Sequence, residues 1–167
     1  MSLQSEPEEV FVLKTERKSE TKTVSVEIHD FIQRIDDEKN KKNAICSPMF
    51  YIGGYRFGVD VYPHPPYDGS EEYIAIYLNN SQEVDILGQG ITASFTIKHA
   101  SGVEQTFDKQ ELRQESRGTL EFLSHAAYKE WTEDHGDVFR VEVKVTLHVE
   151  KGKWTKRGVR CLISFWH

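Results

Sequence analysis

The sequence predicts an all-β fold, a two-layer antiparallel β-sandwich with one short helix. Three observations predict it. Residues Tyr55 to Tyr62 alternate strictly, with Tyr55, Phe57, Val59 and Val61 on one side and Arg56, Gly58, Asp60 and Tyr62 on the other. Successive side chains of a strand face opposite sides of a sheet, so this pattern is a half-buried antiparallel strand whose first set is core. Period-two segments recur along the chain between turn signals, giving seven or eight short strands in all. A single window, Ser124 to Trp131, has helical character.

The elements follow in chain order. Residues 1–22 carry many charges and little apolar period, and read as a flexible N-terminal segment in which Val10 to Leu13 could form a short strand. Thr23 to Ile32 is the first strand, with Val24, Val26 and Ile28 on one face. Asp36 to Asn43, DDEKNKKN, is a solvated charged loop. A short strand near Ala44 to Cys46 leads to Ser47. Gly53 and Gly54 allow backbone angles that other residues resist, and they open the Tyr55 strand. Pro63, Pro65 and Pro66 end it, because proline cannot donate to the ladder.

Strands follow at Tyr73 to Asn79, Ile91 to His99 and Gln105 to Lys109. His99 to Val103 reads as a hairpin turn with Gly102 at the position of positive φ. Ser124 can cap the helix, and Trp131 can anchor its last turn. Asp137 to Val149 is the longest strand, with Phe139, Val141, Val143, Val145 and Leu147 on one face. Residues 150–167 read as a C-terminal tail with an apolar run, CLISFW, that either joins the sheet or stays exposed. No internal repeat is visible.

The chain has 167 residues, enough for one domain with flanking tails. Hydrophobic residues make up 38%, and mean hydropathy is −0.57, which indicates a soluble protein. The longest apolar runs fall far short of the ~20 residues that span a bilayer. The polar N-terminus lacks an apolar signal core, so the expected location is cytoplasmic, with a nuclear one also open. A net charge of −6 argues against nucleic acid as a partner, since phosphate neutralisation dominates such binding. Two cysteines, Cys46 and Cys161, are too few for a disulfide framework and read as thiols. Asn79-Asn80-Ser81 fits a glycosylation sequon but reads as a polar turn after a strand.

Catalytic chemistry is hard to find. The seven histidines, His29, His64, His99, His125, His135, His148 and His167, show no zinc-ligand spacing with one another or with cysteine. Phosphate loops and nucleophile elbows are missing. His125 and His135, with Glu133 and Asp134, could in principle hold a metal but read as solvated loop residues. Neighbouring carboxylates such as Glu71-Glu72 diverge and suit paired acid–base work poorly. The remaining feature is dense tyrosine on strands, at positions 51, 55, 62, 67, 73 and 77. Most should pack in core or rim. One beside an exposed strand edge would offer an apolar body with a hydroxyl handle, which suits peptide capture.

These residues resemble a known family. Ser47-Pro48-x-Phe50, Gly53-Gly54-Tyr55 and Val59-x-Val61-Tyr62-Pro63 are similar to the core signature of the MATH (meprin and TRAF homology) domain, a TRAF-like family. Tyr73 to Leu78, then Gly118-x-x-x-Phe122-Leu123, a short helix and a strand led by Asp137 follow in the family's order, so the resemblance covers about Lys22 to Val149. Departures exist. Val26, Arg117 and Thr119 stand where the family carries tryptophan, tryptophan and phenylalanine, and Phe57 replaces a tryptophan.

The resemblance implies an eight-stranded antiparallel sandwich over residues 23–149. It implies a non-catalytic module that binds short linear peptide motifs of other proteins, as an adaptor or substrate-recognition domain in ubiquitin or receptor signalling. The peptide would lie extended along a strand edge. Carried over by position, its groove comprises Asp60, Tyr62, Tyr77, Phe95, Arg117, Gly118 and Thr119, with Tyr77 and Phe95 on neighbouring strands and Arg117 to Thr119 as the edge. Neither a cofactor nor a metal is expected, and no insertion into a membrane. The alternative is a sandwich that serves oligomer assembly without peptide selection, although no heptad repeat precedes Thr23. An enzyme or a glycan-binding sandwich is the third reading.

Overall fold

The structure is a computed structural model that describes residues 9–37, 43–65, 69, 71–80, 91–111 and 117–156. Two antiparallel sheets face each other. Nine strands are assigned among these residues: β1 (Phe11–His29), β2 (Ile45–Cys46), β3 (Phe50–Ile52), β4 (Tyr55–Tyr62), β5 (Tyr73–Asn79), β6 (Ile91–His99), β7 (Glu104–Glu111), β8 (Arg117–Ser124) and β9 (Val138–Lys156). One sheet has the order β1-β9-β6-β7. The other has the order β2-β4-β5-β8, with β3 also pairing β4.

The core lies between the two sheets. Phe57, Val59 and Val61 of β4 meet Phe95 and Ile97 of β6 and the alternate residues Phe139 to Leu147 of β9 in one buried cluster. The expected inner face of β4 is therefore core, except that Tyr55 is only half-buried. The other face of β4 is less open than expected. Gly58 is buried, and a Cβ there would lie 2.7 Å from Met49 Sδ. Asp60 is 7% exposed. Ser47 continues the β2–β4 pairing: its amide donates to the Val59 carbonyl at 2.9 Å and its hydroxyl accepts from the Val59 amide at 2.9 Å.

Two expectations at the chain ends are corrected. The segment read as flexible up to Lys22 is strand from Phe11 onward, and the last strand runs beyond Val149 to Lys156. β1 and β9 stay in register from Phe11 opposite Lys156 to His29 opposite Val138. Polar cross-strand pairs accompany the ladder: Thr21 and Thr146 hydroxyls at 2.9 Å, Ser19 and His148 at 3.1 Å, and an exposed Arg17–Glu150 ion pair at 3.0 Å. β1 is exposed from Phe11 to Thr23, so no alternation of apolar residues marks that half of the ladder.

A six-residue helix, α1 (Phe31–Asp36), was not expected. It begins after Asp30, which has φ 55. Its own side chains supply no N-terminal cap. The carboxylate of Asp137 does so instead, accepting from the Ile32 amide at 3.1 Å. The expected helix is α2 (His125–His135), capped by Ser124 Oγ, which accepts from the Ala127 amide at 3.1 Å. It runs four residues past Trp131, whose ring stacks on His135 at 4.6 Å. The His99–Val103 turn forms as expected, with Gly102 at φ 98.

The middle of the DDEKNKKN loop, Tyr67, Ser81 of the sequon, Cys161 and the CLISFW run lie outside the described residues.

Candidate functional site

The outer face of the β2-β4-β5-β8 sheet carries a row of four paired residues. Cys46 on β2 lies opposite Asp60 on β4, Asp60 opposite Tyr77 on β5, and Tyr77 opposite Gly118 on β8. Directly paired residues of antiparallel strands share a face. Strands lie ~4.8 Å apart, so the row crosses the whole sheet and ends on β8. Among the described residues β8 is an edge strand, with β5 as its neighbour.

Tyr62 sits two positions along β4 from Asp60. Its ring meets that of Tyr77 edge-on, with centroids 5.8 Å apart and planes at 86°. Both tyrosines are half-buried, so each keeps ring surface toward solvent. Diagonal contact of this kind is what aromatic pairs across neighbouring strands reach. Asp60 accepts from Asn79 Nδ2 at 3.2 Å. Burial pushes the Cys46 thiol up, and the hydrogen bond and charge of Asp60 add to that shift, so Cys46 is held protonated.

Of the seven residues expected in a groove, Asp60, Tyr62, Tyr77 and Gly118 come together. Arg117 and Thr119 lie beside them on β8 but in the alternate register, opposite Leu78 and Ile76, the buried positions of β5. Both are half-buried, and Thr119 Oγ1 accepts from the Glu121 amide at 3.2 Å. Phe95 is elsewhere. It belongs to β6 in the other sheet, is 2% exposed, and stacks on Phe107 at 4.5 Å. It is a core residue, and β5 and β6 are not sheet neighbours although they are consecutive strands.

Gly118 is needed for a different reason than peptide access. A Cβ at this position would lie 2.0 Å from the Ile76 carbonyl oxygen and 2.7 Å from Tyr77 Cα. The close approach is between β8 and its own neighbour β5. Below Gly118 the pairing shifts between Ile74 and Ile76, a bulge that re-aims the lower half of β8.

The sequence reading missed Cys46 and Asn79 as members of this face. Counting in twos from Tyr77 would have found Asn79. Nothing local marks Cys46, which reaches the row through the β2–β4 register.

Among the described residues the histidines form no ligand set. His125 and His64 rings meet at 5.0 Å, yet their Nε2 atoms bond the Pro63 and Ile35 carbonyls. His135 Nδ1 bonds the Trp131 carbonyl at 2.8 Å at the far end of α2. Among the described residues no three His, Cys, Asp or Glu side chains are grouped as metal ligands, and no helix is long and apolar enough to cross a membrane.

Comparison with known proteins bears on this arrangement. The model of the MATH domain family matches residues 23–145. Among solved structures the chain is similar to Notothenia coriiceps TRAF5, with a TM-score of 0.57 and 16% sequence identity over 74% of this chain and 72% of that one. At that identity the likeness is one of fold. No curated protein matches.

Proposed function

The chain belongs to the MATH domain family, whose members are protein–protein interaction modules, and from that premise we propose that it is a non-catalytic recognition domain for short linear peptides. The peptide lies extended along the open edge of β8 and across the outer face of β4 and β5. The carrying observation is the row from Asp60 through the Tyr62–Tyr77 pair to the β8 edge at Gly118. An edge strand offers backbone donors and acceptors for strand addition, which supply sequence-independent affinity. The two tyrosines supply an apolar floor with hydroxyl handles. Asp60 at the inner end of the row favours a basic ligand residue. Arg117 is on the edge strand but in the alternate register, opposite Leu78, and lies outside this row. Affinity is modest, roughly micromolar or weaker, because a short peptide is ordered on binding. The setting we propose is a cytoplasmic adaptor or substrate-recognition role in ubiquitin or receptor signalling.

The experiment is selection from a random peptide library against the wild type, followed by titration of selected peptides into Tyr77→Ala and Asp60→Asn. Tyr77→Ala should weaken binding at least tenfold, and Asp60→Asn should lose the preference for basic residues. Selected peptides that shift resonances only on the β1-β9-β6-β7 sheet reject the groove.

A further inference from the structure

The opposite edge of the molecule carries its own design. β1 is an edge strand whose assigned neighbour, among the described residues, is β9 alone. Residues 11–23 of it are all exposed. Among the described residues β6 joins β9 between Val141 and Val149, and Lys18 is the β1 residue opposite Val149. Among the described residues, Phe11 to Arg17 therefore stand on a two-stranded arm beyond the β6 pairing. Phe11 is 60%, Val12 39% and Leu13 49% exposed. Beside the root of this arm, where β1 faces β2 and β3, lies an apolar cleft of about 460 Å³. Val24, Val26, Ile28, Ile45, Pro48 and Phe50 line it.

We propose that the β1 edge pairs with the same edge of a second copy of this chain, antiparallel, about a two-fold axis through Ser19. Side-chain alternation limits the choice of register, because directly opposed residues must share a face. The inward-facing set along the arm is Val12, Lys14, Glu16, Lys18, Glu20 and Lys22, which alternates in charge after the valine. An axis through Lys18 sets Lys14 against Lys22, Glu16 against Glu20 and Lys18 against itself, so every charge meets its like. An axis through Arg17 also opposes unlike charges, Lys14 to Glu20 and Glu16 to Lys18, but it sets Arg17 against itself and Val12 against Lys22. An axis through Ser19 places Glu16 opposite Lys22 of the second copy and Lys18 opposite Glu20 of the second copy, each pair occurring twice. It also brings Val12 opposite Val26 of the second copy, at the mouth of that copy's apolar cleft. Of these three registers this one alone both opposes unlike charges and gives Val12 an apolar partner.

The arrangement also accounts for the arm itself. A two-stranded ribbon is marginal in water. In the pair, each arm is laid against residues 21–27 of the other copy's β1, which is backed by β9, β6 and β7. The charges on β1 fit this better than a guarding role. Edges that avoid pairing use charge that repels a second copy, whereas this edge is self-complementary. The β9 residues opposite Lys18 and Glu20 are Val149 and Leu147, so the ladder to β9 sets no charge directly against these two, whereas Glu16 stands opposite Lys151.

Charge-swapped variants followed by sedimentation velocity at low salt test the proposal. Wild type should sediment as a dimer, in concentration-dependent exchange with the 19.3 kDa monomer. Lys18→Glu and Glu20→Lys should each be monomeric, because each creates two like-charge pairs. An equimolar mixture of these two variants should recover the dimer, since the copies become mutually complementary, as should the double variant K18E/E20K. Near-ultraviolet circular dichroism checks that every variant is folded. Wild type that stays monomeric at several hundred micromolar overturns the proposal, as does a trimer, and so do single variants that keep the wild-type mass. Peptide binding at the β8 edge should be the same in Lys18→Glu and wild type, so failure of either reading is seen separately.

Discussion

The hydroxyl of Tyr128 donates to Oδ1 of Asp137 at 2.9 Å. The same carboxylate caps α1 by accepting from the Ile32 amide, and the Asp137 carbonyl accepts from the Asp30 amide at 3.1 Å. One residue at the start of β9 thus ties together both helices and the end of β1. Phe31 locks the arrangement from the apolar side, stacked on Phe139 at 4.5 Å and edge-on to Tyr128 at 5.4 Å.

Removing parts of this junction should give graded losses. Tyr128→Phe deletes one hydrogen bond to a charged acceptor and keeps the ring, so it should cost about 2 kcal/mol. Asp137→Ala also strands the Tyr128 hydroxyl and the α1 amide, and should cost about 3 to 5 kcal/mol. Urea denaturation checks both. Equal losses would show that the carboxylate does not hold α1. Burial, then the hydrogen bond and charge of Asp137, push the Tyr128 hydroxyl far above the usual tyrosine range. Alkaline titration of the folded protein should therefore leave this tyrosine un-ionised after exposed ones have titrated.

What the sequence made legible follows from where water is. The bounds of β4, β5 and β6 are read correctly because each strand keeps one face in the core, so polarity alternates or an apolar run appears. Residues 11–23 of β1 are exposed on both faces and left no such signal. α1 was illegible because its cap, Asp137, stands 105 positions from Ile32. Period-two counting tells which residues share a face but not which sheet a strand joins. The carry-over from the family placed Tyr77 and Phe95 on neighbouring strands, and the structure puts them in different sheets.

His99 is wholly buried against Trp131, Phe139 and Tyr128, with ring centroids 4.9, 5.1 and 5.9 Å away. The Ser101 amide donates to Nδ1 at 3.0 Å, so the ring proton sits on Nε2, which has no hydrogen-bond partner. Burial lowers its pKa to about 4. The unfolded chain takes up this proton near pH ~6.5 and the folded one does not. Stability is thus full above about pH 6.5 and falls as pH drops toward about 4, by roughly 3 kcal/mol. Burial lowers His125 as well, which acts in the same direction. Urea midpoints between pH 7 and 4.5 should fall for wild type and less steeply for His99→Leu. Parallel slopes would show that the histidine is solvated.

Phe57 fills the centre of the sandwich, 0% exposed, with Phe50 stacked 6.0 Å away on the neighbouring strand. Phe57→Ala should cost about 3 to 5 kcal/mol through lost transfer energy and the cavity left behind. A loss below about 1 kcal/mol in denaturant titration would reverse the register of β4.

Gly118 is the last test, because it separates support of the sheet from access for a ligand. If glycine is there to admit a peptide, alanine should weaken peptide binding and spare stability. The geometry says otherwise. A methyl group 2.0 Å from the Ile76 oxygen and 2.7 Å from Tyr77 Cα meets backbone, which cannot rotate aside as a side chain could. β8 must then move away from β5, and the paired run from Arg117 to Thr119 loses its register. Gly118→Ala should cost about 2 to 3 kcal/mol. Hydrogen exchange should quicken at Tyr77, Leu78 and Thr119 while the amides of β9 keep their protection. Gly54 is the control: it has φ +82 and open space, so Gly54→Ala should cost only about 1 kcal/mol of backbone strain. Gly118→Ala no more harmful than Gly54→Ala would mean that the approach of β8 to β5 is looser than 2.0 Å implies, and would return Gly118 to the ligand.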